Sequence, residues 1–218
     1  MSEPASFETM RHAMVASQLR TNAVSDARVV AAMAQVPRED FLADGDRRLA
    51  YRDTAVPLAP GRALNVPIAT GRLLTEARIE PRDRVLLIGA ATGYTAAVLS
   101  LLAGSVVAVE SDAALAARAR PALRDYAGVT LVEGPLADGA PDAAPYDVLI
   151  VDGAVEALPD ALIAQLRPGA RIATGLIDRG VTRLAAGTRS AGGYGVRDFA
   201  DIECVPLPGF ATPRAFTF

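Results

Sequence analysis

The chain has 218 residues, with 22 basic against 25 acidic side chains and a formal net charge of −3. That length holds one α/β domain with an appendage, or two small domains. The near-balanced charge leaves no surplus to neutralise phosphates, which argues against general nucleic-acid binding. A single cysteine, Cys204, and a single histidine, His12, exclude an internal disulfide and a structural zinc centre of the usual ligand set.

The first residues are polar and carry Glu3 and Glu8, unlike the cationic start and apolar run of a signal peptide. The longest apolar stretch, Thr95 to Val109, is broken by Ser100, Gly104 and Ser105, so its length suits a buried helix followed by a strand rather than a bilayer span. The expectation is a cytoplasmic protein with no membrane contact.

In chain order, apolar residues first recur at helical spacing: Met10, Met14 and Val15, then Val29, Val30, Met33 and Ala34. Ser25 and Asp26 stand where a helix cap belongs, and Pro37 ends the second helix. Tyr51 to Pro67 holds Pro57, Pro60, Gly61 and Pro67 and reads as an extended, turn-rich segment. Long irregular segments of this kind are often functional. Pro67 to Ala77 is helical again, and near Arg78 the pattern changes, which divides the chain into 1–78 and 79–218.

From Arg84 short apolar runs alternate with helices. Strands are expected at Arg84–Ala90, Ser105–Glu110, Val129–Gly134, Tyr146–Asp152 and Ala170–Ile177. The helices between them run through Ala103, over Asp112–Tyr126 and around Pro159–Leu166. Apolar runs without a polar face, alternating with helices, indicate a parallel sheet covered on both sides. The tail from Thr182 holds two more strand-like stretches around Gly192, Gly193 and Gly195, the pattern of an antiparallel edge hairpin.

The central motif is Leu86-Leu87-Ile88-Gly89-Ala90-Ala91-Thr92-Gly93-Tyr94: a strand, a glycine-bounded turn, then a helix. Glycines there let backbone approach a ligand, and the helix start presents unpaired amides. Glu110 stands 21 residues after Gly89, at the end of the next strand, where an acid can accept from both ribose hydroxyls of a nucleoside. The alternative is a tight turn with a solvated acid nearby. Asp152 ends the fourth strand, where open parallel sheets place their ligands, or else simply caps a turn.

The chain resembles the protein-L-isoaspartate O-methyltransferases, which use S-adenosylmethionine. Met14-Val15-Ala16-Ser17-Gln18-Leu19 resembles that family's MVxxQL, and Ala32 to Phe41 its AMxxVPRExF. Ala50-Tyr51-Arg52-Asp53 with Pro57-Leu58 resembles its AYxD segment, and Gly89 to Leu99 its GxGxGYxAAVLA turn and helix. Pro145-Tyr146-Asp147 and Gln165 to Arg171 are similar to PFD and QLxPGGR. The resemblance spans roughly Met14 to Leu176. It implies a doubly wound, mostly parallel seven-stranded Rossmann-like methyltransferase fold. Residues 1–78 would be an N-terminal helical extension with a substrate-side segment, and 79–218 the cofactor-binding α/β part, the two together one compact unit. It implies methylation of L-isoaspartyl carboxyls in damaged proteins or peptides, a protein-repair reaction. Gly89, Ala91, Gly93, Glu110, Ser111, Gly134 and Asp152 would line the cofactor, and Asn65 would stand near the accepting carboxyl; no metal is implied.

Four positions depart from the family pattern. Leu87 replaces an acid of the first strand, and Ala91 the middle glycine of the turn. Gly134-Pro135-Leu136 replaces GDG. In Gly61-Arg62-Ala63-Leu64-Asn65-Val66-Pro67, which resembles GQTISQP, Asn65 replaces a hydroxyl residue. An alternative reading is therefore a non-catalytic relative that keeps the fold as a binding or structural module, and a third is methylation of another small acceptor. Of the remaining polar candidates, His12 reads as a surface or interhelical residue, Cys204 as a small buried hydrophobe in a strand, and Tyr94 as packing. Arg52 and Asp53 read as a surface ion pair or as cleft residues.

Overall fold

The computed structural model describes residues 5–211. The chain opens with helix α1 (Phe7–Ala13), which runs on into a π-helical turn at Met14–Leu19 that buries Met14, Val15 and Leu19. Helix α2 (Ala27–Gln35) is capped by Asp26, whose side chain accepts from the Arg28 amide. Of the two candidate caps, Asp26 is the one used. The helix stops at Val36, which turns to extended backbone ahead of Pro37.

The segment expected to be irregular contains a small antiparallel hairpin, β1 (Val56–Ala59) and β2 (Arg62–Leu64). Gly61, at φ +69°, lies in its turn. Such short strands escape a periodicity reading because three or four residues give no period. Helix α3 (Pro67–Glu76) then begins with Pro67 in its first turn, where a missing amide loses nothing.

The main sheet comprises β3 (Arg84–Ile88), β4 (Ser105–Glu110), β5 (Val129–Glu133), β6 (Tyr146–Val155), β7 (Leu166–Asp178), β8 (Val181–Ser190) and β9 (Gly193–Ala200). Its order is β5-β4-β3-β6-β7-β8-β9, parallel from β5 to β7 and antiparallel at β8 and β9. The doubly wound, mostly parallel seven-stranded sheet with an antiparallel edge hairpin is thus present. Helices α4 (Tyr94–Ser100), α5 (Ala113–Ala122) and α6 (Asp160–Ala164) make the connections.

Period-two alternation explains how the sheet is covered. Val85 and Leu87 of β3, with Val106, Ala108, Val148 and Ile150, enter the apolar cluster that also holds Met14, Leu19, Met33, Leu73 and Val98. Leu86 and Ile88, with Val107, Val109, Leu149 and Val151, face the opposite cluster, covered by Leu136, Leu158, Leu162, Leu207 and Phe210. The N-terminal helices therefore share one core with β3, and the change of pattern near Arg78 is not a gap in packing.

Several boundaries differ from expectation: β3 stops at Ile88 rather than Ala90, α4 at Ser100 rather than Ala103, and α5 at Ala122 rather than Tyr126. Strand β6 continues past Asp152 to Val155, with a register shift between Ile150 and Ala154. Helix α6 has only five residues, because Leu166 already starts β7, a strand of 13 residues. Cys204 is buried but lies outside any strand.

Gln165 links the two halves of the second cluster. Its Oε1 accepts from the Ala140 amide at 2.9 Å, and its Nε2 donates to Asp138 O at 2.7 Å and Ala161 O at 2.9 Å. Truncation to alanine leaves the buried Ala140 amide unpaired, at a cost of about 1–3 kcal/mol. We expect Gln165→Ala to lower Tm by roughly 2–12 °C at the usual slope for a chain of this size. A calorimetric melt checks this, and a drop below about 2 °C would mean the loop is held by other contacts.

Candidate active site

The carboxyl ends of β3, β4 and β6 meet where the connections leave in opposite directions, the crevice in which open α/β sheets bind ligands. The turn after β3 alternates into left-handed backbone three times, at Gly89 (φ +84°), Ala91 (+51°) and Gly93 (+102°). Gly93 is required twice over, since a Cβ there would also lie 2.9 Å from the Leu123 side chain. Ala91 adopts the left-handed region with a methyl group, which costs about 1–2 kcal/mol. What that conformation achieves is the aim of its amide: Ala91 N donates to Glu110 at 2.7 Å.

Glu110 has no exposed surface (0%). Besides the Ala91 amide it accepts from the Asp112 amide at 2.8 Å, and from the Arg62 guanidinium in a two-pronged pair at 2.5 and 2.7 Å. Arg62 is itself only 6% exposed. Both oxygens of the carboxylate are therefore filled twice, and none of their lone pairs faces an opening. The solvated-acid alternative fails, because the acid is buried and its acceptor atoms are occupied from within the chain.

Asn65 is 2% exposed, and both ends of its amide are engaged. Nδ2 donates to Asp152 Oδ1 at 2.8 Å, and Oδ1 accepts from the Val205 amide at 2.7 Å. Asp152 also accepts from the Thr70 hydroxyl at 3.4 Å and, through a short contact to its other oxygen, from Thr95. Asn65 thus stands in the crevice as expected, but its side chain is spent on holding neighbours rather than on an open space. Asp152 is not a turn cap; it is the acceptor that gathers β2's exit, α3 and α4.

Arg38 steadies this segment from below. Though 1% exposed, it donates to Ala50 O at 2.8 Å and to Asn65 O at 2.6 Å, with its guanidinium 4.6 Å from the centre of the Tyr94 ring. Burial lowers the pKa of Arg38, opposed by Tyr94 and Asp152. Burial likewise pushes the Tyr94 hydroxyl up to about 12, against the pull of Arg38.

A C-terminal strap crosses the same crevice. Ala154 N donates to Val205 O at 2.8 Å, and Leu207 N to Ala154 O at 2.9 Å. Leu207 then lies over two glycines: a Cβ on Gly153 would sit 2.4 Å from it, and one on Gly89 would sit 3.0 Å away. Beyond the strap an open groove of about 550 Å³ remains, lined by Ser111, Gly134, Pro135, Ala137 and Pro208 among others.

Of the residues singled out in the sequence, Gly89, Ala91, Gly93, Glu110, Asn65 and Asp152 come together at the strand ends, and Ser111 and Gly134 line the adjoining groove. Arg62, Thr70, Thr95 and Leu207 were not singled out. For Arg62 a signal existed: an acid at the end of the wholly apolar run preceding Glu110 needs a counter-charge once buried. Leu207, by contrast, lies in a short proline-rich stretch with no readable period. Arg52 and Asp53 are exposed, and His12 lines a separate cavity with Val15, Val24 and Val30. Among the described residues no group of three or more His, Cys, Asp or Glu side chains could hold a metal ion, and no helix is long and apolar enough to cross a membrane.

Comparison with known proteins agrees with this geometry. Residues 10–209 match the family model for protein-L-isoaspartate(D-aspartate) O-methyltransferase. The protein-L-isoaspartate O-methyltransferase of Koribacter versatilis (strain Ellin345) is 36% identical over 93% of this chain and 92% of its own length. Protein-L-isoaspartate O-methyltransferase 1 of Rhodopseudomonas palustris (strain HaA2) is 38% identical over 94% and 85%. A solved protein-L-isoaspartate O-methyltransferase shares the fold with a TM-score of 0.80 at 23% identity, over 91% of this chain and 66% of that one. A Plasmodium falciparum structure described as a putative member, in complex with S-adenosyl-L-homocysteine, has a TM-score of 0.73 at 17% identity over 90% and 97%. The chain belongs to the protein-L-isoaspartate(D-aspartate) O-methyltransferase family.

Proposed function

We propose that this protein is an S-adenosylmethionine-dependent carboxyl methyltransferase that acts on L-isoaspartyl residues of damaged proteins and peptides, a repair reaction carried out in the cytoplasm. The observation that carries this reading is the match to the family over residues 10–209 together with a strand-end crevice built from the turn and acid that a nucleoside needs. The lone buried Cys204 suits a reducing compartment.

The side chains present fit the adenosine half of that cofactor on one condition. Glu110 stands at the end of β4 beside the open groove of Ser111, Gly134 and Pro135, which suits a ribose and a base. Its oxygens become available only when Arg62 turns away. Pro135 offers the base an apolar wall and no carboxylate, so discrimination by an acid at that place is missing. When bound, the cofactor supplies a methyl group activated on a sulfonium. The protein's share is positional: an isoaspartyl carboxylate is already an anionic nucleophile, so orientation and exclusion of water matter more than proton transfer. Asn65 acts here as a positioning residue that fixes Asp152 and the strap at the mouth of the crevice.

A specific observation favours a second reading, a non-catalytic relative serving as a binding or structural module: Glu110 is saturated from within, and Asn65 has both ends of its amide engaged. The discriminating assay is transfer of labelled methyl from S-adenosylmethionine to an isoaspartyl peptide. We expect transfer above the rate with an aspartyl peptide of the same sequence. Background counts with both peptides would sink the repair reading and leave the module.

The role given to Asn65 has its own test. In Asn65→Asp the donor to Asp152 becomes a second carboxylate at about the same distance, and two such groups cannot both ionise cheaply. The pair would hold a proton more tightly folded than unfolded, so the shared-proton stability is present at low pH and is lost as pH rises. We expect the variant to be destabilised relative to the parent by roughly 2–4 kcal/mol at pH 7, with the deficit shrinking at pH 5. Denaturant melts at the two pH values measure it. A deficit that does not change with pH would place Asn65 away from Asp152.

A further inference from the structure

We propose that Arg62 is an internal competitor for the ribose acceptor: the guanidinium on Glu110 holds the site in a latched state, and a nucleoside enters only as the Arg62 side chain lets go. The inference rests on the methyltransferase reading, and deepens it by naming the residue that sets cofactor affinity.

The geometry supports competition rather than cooperation. A carboxylate accepts in about four directions, and here Ala91 N, Asp112 N and the two guanidinium nitrogens take them all. Two ribose hydroxyls arriving at Glu110 need the same directions that the guanidinium fork now fills. The two backbone amides belong to the turn and to the start of α5, so they stay; Arg62 is the donor that can leave.

Arg62 is also placed to leave. It sits on β2, in a two-stranded hairpin outside the seven-stranded sheet. Val56 and Leu64 anchor that hairpin in the core cluster, so the long Arg62 side chain can swing while its backbone stays. A departing guanidinium regains hydration, and the incoming hydroxyls satisfy the acceptor it abandons, so neither state leaves a bare buried charge. The groove at Ser111, Gly134 and Pro135 is open while the latch is closed, which gives the base somewhere to dock before the exchange.

When only a fraction of molecules is unlatched, apparent affinity falls by that fraction. Weakening the latch therefore tightens binding without adding a contact to the ligand. The experiment is calorimetric titration of the full chain with S-adenosylhomocysteine, comparing the parent with Arg62→Lys and Arg62→Gln. Lysine keeps a charge for Glu110 but loses the fork, so it guards against a variant that fails to fold. Affinity should rise in the order parent, Lys, Gln, with the Gln form on the order of 10–100-fold tighter than the parent. If Arg62→Gln does not fold, a tighter Arg62→Lys carries the same conclusion. Equal affinity in all forms overturns the latch and leaves the methyltransferase reading standing. Weaker binding in the variants also overturns it, since Arg62 would then be a cofactor contact. No binding to any folded form overturns it as well, because freeing Glu110 would not have opened the site. Whether the methyltransferase reading falls too is then read separately, from the isoaspartyl transfer assay on the parent.

Discussion

A carboxylate with no exposure, at the end of a central strand, sets the terms for everything around it. Leaving Glu110 charged and unpaired at that depth would be prohibitive, and pairing it demands both a cation and enough hydrogen bonds to replace its water. The chain meets the demand from three directions: the Arg62 fork, the Ala91 amide and the Asp112 amide. Each has a structural consequence. The β1–β2 hairpin must fold back over the sheet to deliver Arg62, Ala91 must accept left-handed backbone to turn its amide inward, and β4 must bend into α5 at Asp112, which also caps that helix.

The four residues from Arg62 to Asn65 act as one tie. At one end they hold the end of β4 through Glu110; at the other they hold β6 through Asp152 and the C-terminal strap through Val205. Arg38 fixes the tie's backbone at Asn65 O and reaches Ala50 O with its other nitrogen, while Glu39 beside it takes the Tyr51 hydroxyl and the Arg11 guanidinium. The two sequence stretches that most resemble this family outside the sheet, around Pro37-Arg38-Glu39 and Ala50-Tyr51, therefore meet in space. Their residues form the frame that carries the tie to the strand ends.

This arrangement also marks how far the sequence could be read. Runs such as Arg84–Ala90 and Ser105–Glu110 carry no polar face, so the covered parallel sheet and its strand-end glycine turn were legible from pattern alone. The family resemblance then supplied the strand count and brought Asn65 to notice. Pattern could not show that Asn65 spends both ends of its amide internally, because one partner lies 87 residues away and the other 140. The hairpin and the strap were missed for a related reason. They are too short to show a period, and they are fixed by long-range contacts, among them Arg62 to Glu110 and both Val205 and Leu207 to Ala154.

Leu87, where the family pattern carries an acid, bears on the charge balance around Glu110. Leu87 is wholly buried among Val85, Val106 and Ala108, in the cluster that carries the N-terminal helices. An acid at that place would be a second buried carboxylate one strand away from Glu110, with Arg62 already spent. Arg62 neutralises Glu110, whereas a second acid beside it would have no cation of its own. Leucine at 87 therefore leaves the Arg62–Glu110 pair as the buried charge balance at the end of β4. The framework motifs depend on neither, since Arg38, Glu39 and Tyr51 satisfy one another and the backbone without reaching Glu110. That separation leaves the frame intact whichever way the charge at the strand ends is balanced.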